Sequence, residues 1–416
     1  WNLTQCQTQP VAGDVVGLLP GVGTLQATDD DQRIAFQPTH SGTPNSRIVY
    51  VTKFAAVALS NVATNPNRTE IRHNGLPETN QQGSGTGGPL YGSNGQSYIT
   101  YDGLFSDMAQ AHIHEDSGVI RVENATGIHI RNFEIKGTNE QVWSNAMIYR
   151  AQGSRGTILS NFRAYDFRNA ADFGQGSAFC ASYGDENFIM EHFEISNVGK
   201  GIYMKGPHPT TPPYMYANYG TIRYGIVKNG TSGMRFGFIH DSNFLDVHHV
   251  LLYGHTDTGL TFSNELGQYR RNVRLNYMTI VGGPAGANQY GAIYIKADLG
   301  TGNRIENSII DAPIQNNILS EDTNYSADFV SDYNGFSRPS TPQFFNINGS
   351  MNSLSSWRSS TSNDAQSAYY NTATSDIFLN RAGTDFRVAP GHAALSASST
   401  GGQIGAYAGT EPVGVD

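Results

Sequence analysis

Long apolar runs are missing from this 416-residue chain. No stretch approaches the roughly 20 apolar residues that a membrane-spanning helix needs. Charged residues make up only 15% of the sequence, too few for many amphipathic helices with solvated faces. Basic residues are outnumbered, 26 against 35 acidic, and the formal net charge of −9 argues against a nucleic-acid backbone as partner. Cysteine occurs twice, at Cys6 and Cys180, a spacing that matches no zinc ribbon, redox pair or disulfide framework. One disulfide and two buried thiols both remain open. A phosphate loop of the Walker type is absent, because residues 17–23 follow no strand-to-helix pattern. No signal peptide opens the chain, which starts at Trp1 on polar residues, the form expected of a mature secreted protein whose leader has been removed.

Present instead are 47 glycines, with Asn and Ser frequent throughout, a mixture suited to many short strands joined by turns. No strict repeat exists, but a pattern recurs: a short apolar strand ending in Asn, Asp or Gly, a second strand, then a third led by Gly. Asn187-Phe188-Ile189-Met190 and Phe193-Glu194-Ile195 lead to Gly201-Ile202-Tyr203-Met204-Lys205. Later units close on Gly233-Met234-Arg235-Phe236, Gly259-Leu260-Thr261-Phe262 and Gly291-Ala292-Ile293-Tyr294-Ile295-Lys296. These leading glycines fall about 26 to 32 residues apart, the spacing of solenoid coils.

Each third strand alternates apolar and polar residues, so one face is buried and the other wet. Strands without helices between them argue against a doubly wound α/β sheet. An antiparallel sandwich would need hairpin loops of about two to five residues, shorter than the spacing here. The fold expected is all-β: a right-handed parallel β-helix in one domain, residues 1–416, with an N-terminal cap and first coils (1–110), central coils (111–320) and C-terminal coils and cap (321–416). Ile202, Met234, Leu260 and Ile293 are expected to form one inward ladder, and Met204, Phe236, Phe262 and Ile295 the next. Residues 83–95 and the proline-rich 206–213 read as exposed loops.

The ends carry the family likeness. Ala12-Gly13-Asp14-Val15-Val16, Leu19-Pro20-Gly21 and Ser41-Gly42-Thr43-Pro44 mark the start of the chain. Ser331-Asp332-Tyr333-Asn334-Gly335, Trp357, Asp385-Phe386-Arg387-Val388-Ala389-Pro390-Gly391 and Gly405-Ala406-Tyr407 mark its end. Over nearly the whole chain this arrangement resembles the secreted bacterial right-handed β-helix proteins, many of them active on polysaccharides. The resemblance implies a secreted or extracellular monomer whose partner is a polysaccharide.

Chemistry is expected on the outward positions of the third-strand stack. One column holds Tyr203, Arg235, Thr261 and Tyr294, the next Lys205, Gly237, Ser263 and Lys296, with Arg121, Glu123 and Ser182 added by earlier coils. Rich in Lys, Arg and Tyr and short of acids, that face suits an acidic sugar polymer. Eliminative cleavage of a uronate needs a cation on the carboxylate, a base for the C5 proton and an acid for the departing oxygen. Lys205 is the expected base, since a neighbouring cation lowers a lysine pKa toward the working range. Arg235 is the expected carboxylate ligand, Tyr203 the proton donor, and His240 a second candidate base. Arg121, His208, Tyr214, Tyr294 and Lys296 are expected to bind substrate. A Lys and an Arg on neighbouring coils resemble the alginate lyase and chondroitinase B family, although Gly206 follows Lys205 and Phe236-Gly237 follows Arg235 where that family has Ser and His-Gly. Some of its members use calcium, which leaves calcium open as a cofactor; no metal ligand can be assigned from the residues.

Other constellations are weaker. His112 and His114 share a face if their segment is a strand, with Glu115 and Asp116 following, but no third metal ligand is evident. His248 and His249 should point to opposite faces of a strand. Asp241 with Asp246, or Glu191 with Glu194, are the carboxylate pairs that a glycoside hydrolase would use; the latter pair should fall on opposite faces. The expected function is an acidic-polysaccharide lyase, with a hydrolase on the same scaffold, or a noncatalytic adhesin or phage tail-like module, as alternatives.

Overall fold

The structure, a computed structural model, describes residues 3–19, 21–25, 36–52, 69–73, 91–107, 118–137, 147–167, 177–182, 185–205, 219–237, 244–262, 272–282, 291–296, 301–312, 316–321, 329–339, 343–347, 349–373, 375–409 and 413–414. Two compact units divide the chain: Trp1–Gly220 with Gly414–Asp416, and Thr221–Val413. Each is built from parallel coils, as the glycine-led spacing predicts.

In the first unit the strands Tyr91–Asn94, Gly118–Glu123, Met147–Gln152, Ser177–Ser182 and Lys200–Lys205 stack in parallel, the sheet to which the glycine-led strands belong. A second parallel run joins Val15–Leu18, Ile48–Thr52, Ile99–Asp102, His129–Lys136, Ile158–Phe167 and Asp185–Val198. Parallel neighbours cannot be joined by a hairpin, so the chain must travel round before it returns beside itself. Adjacent coils then lie about 4.8 Å apart, and like side chains meet. Phe133, Phe162 and Phe193 stack face to face inside the unit, with centroids 4.6 and 5.5 Å apart. Ile202 and Met204 are fully buried, as expected.

In the second unit Ser232–Gly237, Thr258–Phe262, Ile293–Ile295, Ile318–Ser320 and Gln343–Ile347 form the glycine-led sheet. Met234, Leu260 and Ile293 occupy one inward row, and Phe236, Phe262 and Ile295 the next; all are fully buried. Fully burying one such side chain contributes about 1.5–3 kcal/mol. Within this unit these members of the expected ladders stand in register. The antiparallel strand Ser350–Ser353 closes the sheet edge, and the helix Leu354–Thr361 follows. Its N-cap Ser353 accepts from Ser356 N at 3.2 Å, and Trp357 drives its buried face onto Phe345, 4.3 Å away. The last segment turns back over Leu251, Val281 and Ile309 with Ile377, Phe378, Phe386 and Ile404, where Arg381 bonds to buried Asp311 and to Asp376.

Bends in the longer strands account for three departures from the sequence reading. Asn132, Asn161 and His192 align across three coils of the first unit, each with φ near +50°, a left-handed conformation that Asn tolerates better than most residues. Asn161 Nδ2 donates to Asn132 Oδ1 at 2.9 Å. A left-handed residue breaks the strict alternation of a strand. Residues 187–190 and 193–195 are therefore one bent strand, Asp185–Val198. Glu191 and Glu194 flank the bend at His192 and are both half-buried, rather than lying on opposite faces of a straight strand. In the second unit His249 takes φ +55°, so His248 and His249 do not diverge; their Nδ1 atoms lie 2.8 Å apart and both rings are half-buried. One further expectation changes: within 83–95, residues 91–94 form a strand with Tyr91 fully buried, whereas 83–90 lie outside the described residues. Among the described residues, no helix is long and apolar enough to cross a membrane.

Candidate functional site

The outward face of the glycine-led sheet is the candidate site, taken unit by unit. In the first unit the register runs Gly92, Arg121, Arg150, Cys180, Tyr203. A parallel row holds Asn94, Glu123 and Gln152, and Ser182 pairs with Lys205. Tyr203 thus stands in the row of Arg121, and Lys205 beside Ser182. The side chains of Arg150, Cys180, Ser182 and Lys205 lie outside the described residues.

Arg121 and Glu123 form a buried ion pair, Nε to Oε1 2.7 Å, at 3% and 6% exposure. Arg121 is thus spoken for by a carboxylate rather than open to solvent. Tyr203 is 6% exposed, and the Lys200 ammonium sits 5.2 Å over its ring. Such a cation over a ring is worth about 0.5–2 kcal/mol and fixes the ring plane.

In the second unit Arg235, Thr261, Tyr294, Leu319 and Asn346 form the outward row. Arg235 is half-buried. Burial raises the pKa of nearby Asp257, and the Arg235 charge pulls it back. Tyr294, itself buried, donates its hydroxyl to Glu321 Oε1 at 2.7 Å. Lys296 is exposed and makes no ion pair among the described residues. Glu321 N bonds to Ile295 O, which sets Glu321 beside Lys296 in the coil stack.

These neighbours correct one expectation: the face is not short of acids. Glu123 accompanies Arg121, Asp257 accompanies Arg235, and Glu321 accompanies Tyr294 and Lys296. The sequence reading listed Glu123 but missed Asp257 and Glu321, because both sit at strand ends where no alternation signals a direction. His208, Tyr214, His240, Asp241, His112 and His114 lie outside the described residues. Among the described residues, no group of three or more His, Cys, Asp or Glu side chains could hold a metal ion. No step is assigned to calcium.

A parallel β-helix with a charged, tyrosine-bearing outward face defines the class of scaffold. No protein-family model matches the chain, and no curated protein matches it. Among solved structures, the chain is similar to a crystal structure of pectate lyase Pel9A, at TM-score 0.57 and 10% identity over 98% of this chain and 90% of that one. A rhamnogalacturonan lyase aligns at TM-score 0.40 and 13% identity, over 89% of this chain and 84% of that one. At these identities the first likeness establishes the fold, and the second carries no argument.

Proposed function

We propose that this chain is an extracellular polysaccharide lyase that cleaves a uronate-containing polymer by β-elimination. The observation carrying the reading is the outward row Arg235, Thr261, Tyr294, with exposed Lys296 on the coil of Tyr294. It lies on a scaffold shared with a pectate lyase across 98% of the chain. In this reaction the C5–H bond breaks, its electron pair forms the C4–C5 double bond, and the C4–O bond releases the leaving sugar, whose oxygen takes a proton. Lys205, in the first unit, is the proposed base, and Tyr203 the proposed proton donor. Arg235 and Lys296, in the second unit, are separately proposed to bind carboxylates of the polymer by charge-assisted hydrogen bonds. His240 is kept as an alternative base, and His208 and Tyr214 as substrate contacts; Arg121, buried against Glu123, is not kept as one. The test is ultraviolet absorbance on mixing the protein with a panel of uronate polymers, because elimination creates a conjugated double bond. Reducing ends without absorbance would instead indicate a hydrolase, and binding without either would indicate an adhesin or tail-like module. A chelator added to the same assay settles whether calcium takes part.

A further inference from the structure

Two tyrosines stand on outward rows, Tyr203 in the first unit and Tyr294 in the second, and each is nearly closed to solvent, at 6% and 7% exposure. Their neighbours differ in charge. The Tyr294 hydroxyl donates to Glu321 Oε1 at 2.7 Å. A carboxylate in that place holds the phenol proton on, because a phenolate there would face a like charge. Tyr203 instead lies under the ammonium of half-buried Lys200, 5.2 Å from its ring centroid. A cation that close favours the phenolate, and does so more strongly where both groups are withdrawn from water. Two like side chains in opposite settings point to different roles.

We infer that Lys200 is a positioning residue that orients Tyr203 and prepares its phenol to act as an acid. This rests on the reading of Tyr203 and Lys205 as a lyase pair and deepens it. The two lie two apart on the strand Lys200–Lys205, and so on one face of it. Lys205 takes the C5 proton, and the C5–H electron pair forms the C4–C5 double bond. The C4–O pair leaves with the departing oxygen, which takes the Tyr203 hydroxyl proton. The phenolate left behind faces the Lys200 ammonium, and later regains a proton from water. Burial alone would oppose that phenolate, since a low dielectric disfavours the charged form; the ammonium offsets this. The same cation over the ring fixes its plane, and with it the direction of the hydroxyl.

The test reads the phenol and the reaction separately. In the whole chain with carbon-labelled tyrosine, the Tyr203 Cζ resonance is identified by its loss in Tyr203→Phe and titrated against pH. Lys200→Met keeps most of the side chain's bulk and removes its charge. It should raise the titration midpoint by about one pH unit, a tenfold change in the ionisation constant, whereas Lys200→Arg should stay near the wild-type value. Lys200→Gln gives the same reading should Lys200→Met unfold. On a uronate polymer that the wild type cleaves, Lys200→Met should lower kcat about three- to tenfold and leave KM within about twofold, and Lys200→Arg should restore most of the rate. A midpoint that does not move, a wild-type Tyr203 that stays protonated up to alkaline unfolding, or equal losses of kcat in Lys200→Met and Lys200→Arg would overturn the inference. A shifted midpoint in a chain that eliminates no uronate polymer supports this inference while defeating the lyase reading.

Discussion

The Trp357 indole N–H donates to Asp364 Oδ2 at 2.8 Å, inside the C-terminal part of the second unit. The other oxygen of Asp364 accepts from Ser331 Oγ at 2.8 Å and Ser367 Oγ at 2.7 Å. One carboxyl thereby ties a helix, a coil strand and a turn. Its pKa is raised chiefly by burial, and the hydrogen bonds oppose the shift. Asp364→Ala strands three buried donors and places Ala at φ +59°. A loss of about 3 kcal/mol is expected, read as a lower urea midpoint with the Trp357 fluorescence transition moving alongside it.

Asp185 makes the fold less stable as pH rises toward neutral. It is fully buried, accepting from Ser154 Oγ at 2.8 Å, with Tyr149 and Thr157 hydroxyls at 3.4 Å, and burial pushes its pKa up to about 7. In the unfolded chain a carboxyl of this kind ionises near about 3.9. The folded state therefore holds a proton that the unfolded state has released, and stability falls as pH rises from about 4 through about 7, by up to about 4 kcal/mol. Asp185→Asn should flatten this slope: thermal melts from pH 5 to pH 8 should fall in the wild type and stay nearly level in the variant.

His255 works in the opposite direction. It is fully buried, its Nδ1 accepts from Gly230 N at 3.3 Å, and Nε2 donates to Val227 O at 3.1 Å. That arrangement needs the neutral ring, and burial pushes the pKa down to about 4. An unfolded histidine protonates near about 6.5, so stability present above that value is lost as pH falls toward 4, by up to about 3 kcal/mol. His255→Gln should cost stability at pH 7 but remove this component of the acid sensitivity. Equal acid slopes in both proteins would refute the assignment.

Gly233 leads the strand that carries Arg235, and its absent side chain is required there. A Cβ would lie 2.4 Å from Gly259 O and 2.8 Å from His255 Nε2. The first contact is backbone of the next coil and cannot yield cheaply. Gly233→Ala should destabilise by about 1–3 kcal/mol, measured by denaturant titration. It should also lower the affinity for polymer by displacing the Arg235 row.

Activity separates the proposed base from a lysine that only solvates the sheet. Lys205→Ala should cut elimination at least about 100-fold, with the far-ultraviolet spectrum and melting temperature unchanged. Arg235→Ala should lose a similar factor, about 100-fold, and Arg235→Lys should recover part of it. Full activity in Lys205→Ala with loss in a His240→Ala chain would move the base to His240.

Much of the scaffold was legible because its physics is local. Alternation in 202–205, 234–236, 260–262 and 293–296 states which side chains face inward, and the leading glycines state how far apart the coils recur. The residues missed share a different property. The left-handed bends at His192 and His249 follow from position in a stack of turns, and no one-dimensional pattern distinguishes them from a strand interior. Asp185 reads as a turn residue beside Gly184, and only the closure of the coil shows that its carboxyl is enclosed.

Read alone, the amino-acid order determined the parallel coils, the inward-facing positions and the outward alternation of Tyr203 with Lys205 and of Arg235 and Tyr294 on their strands. Those depend on a period-two pattern repeated every 26 to 32 residues. The tertiary structure decided which charges those rows meet: Glu123 on Arg121, Asp257 near Arg235, Glu321 on Tyr294. Arg121 and Glu123 share one strand, whereas Asp257 and Glu321 come from the coil after Arg235 and Tyr294, at strand ends whose direction is set by hydrogen bonds to the neighbouring coil.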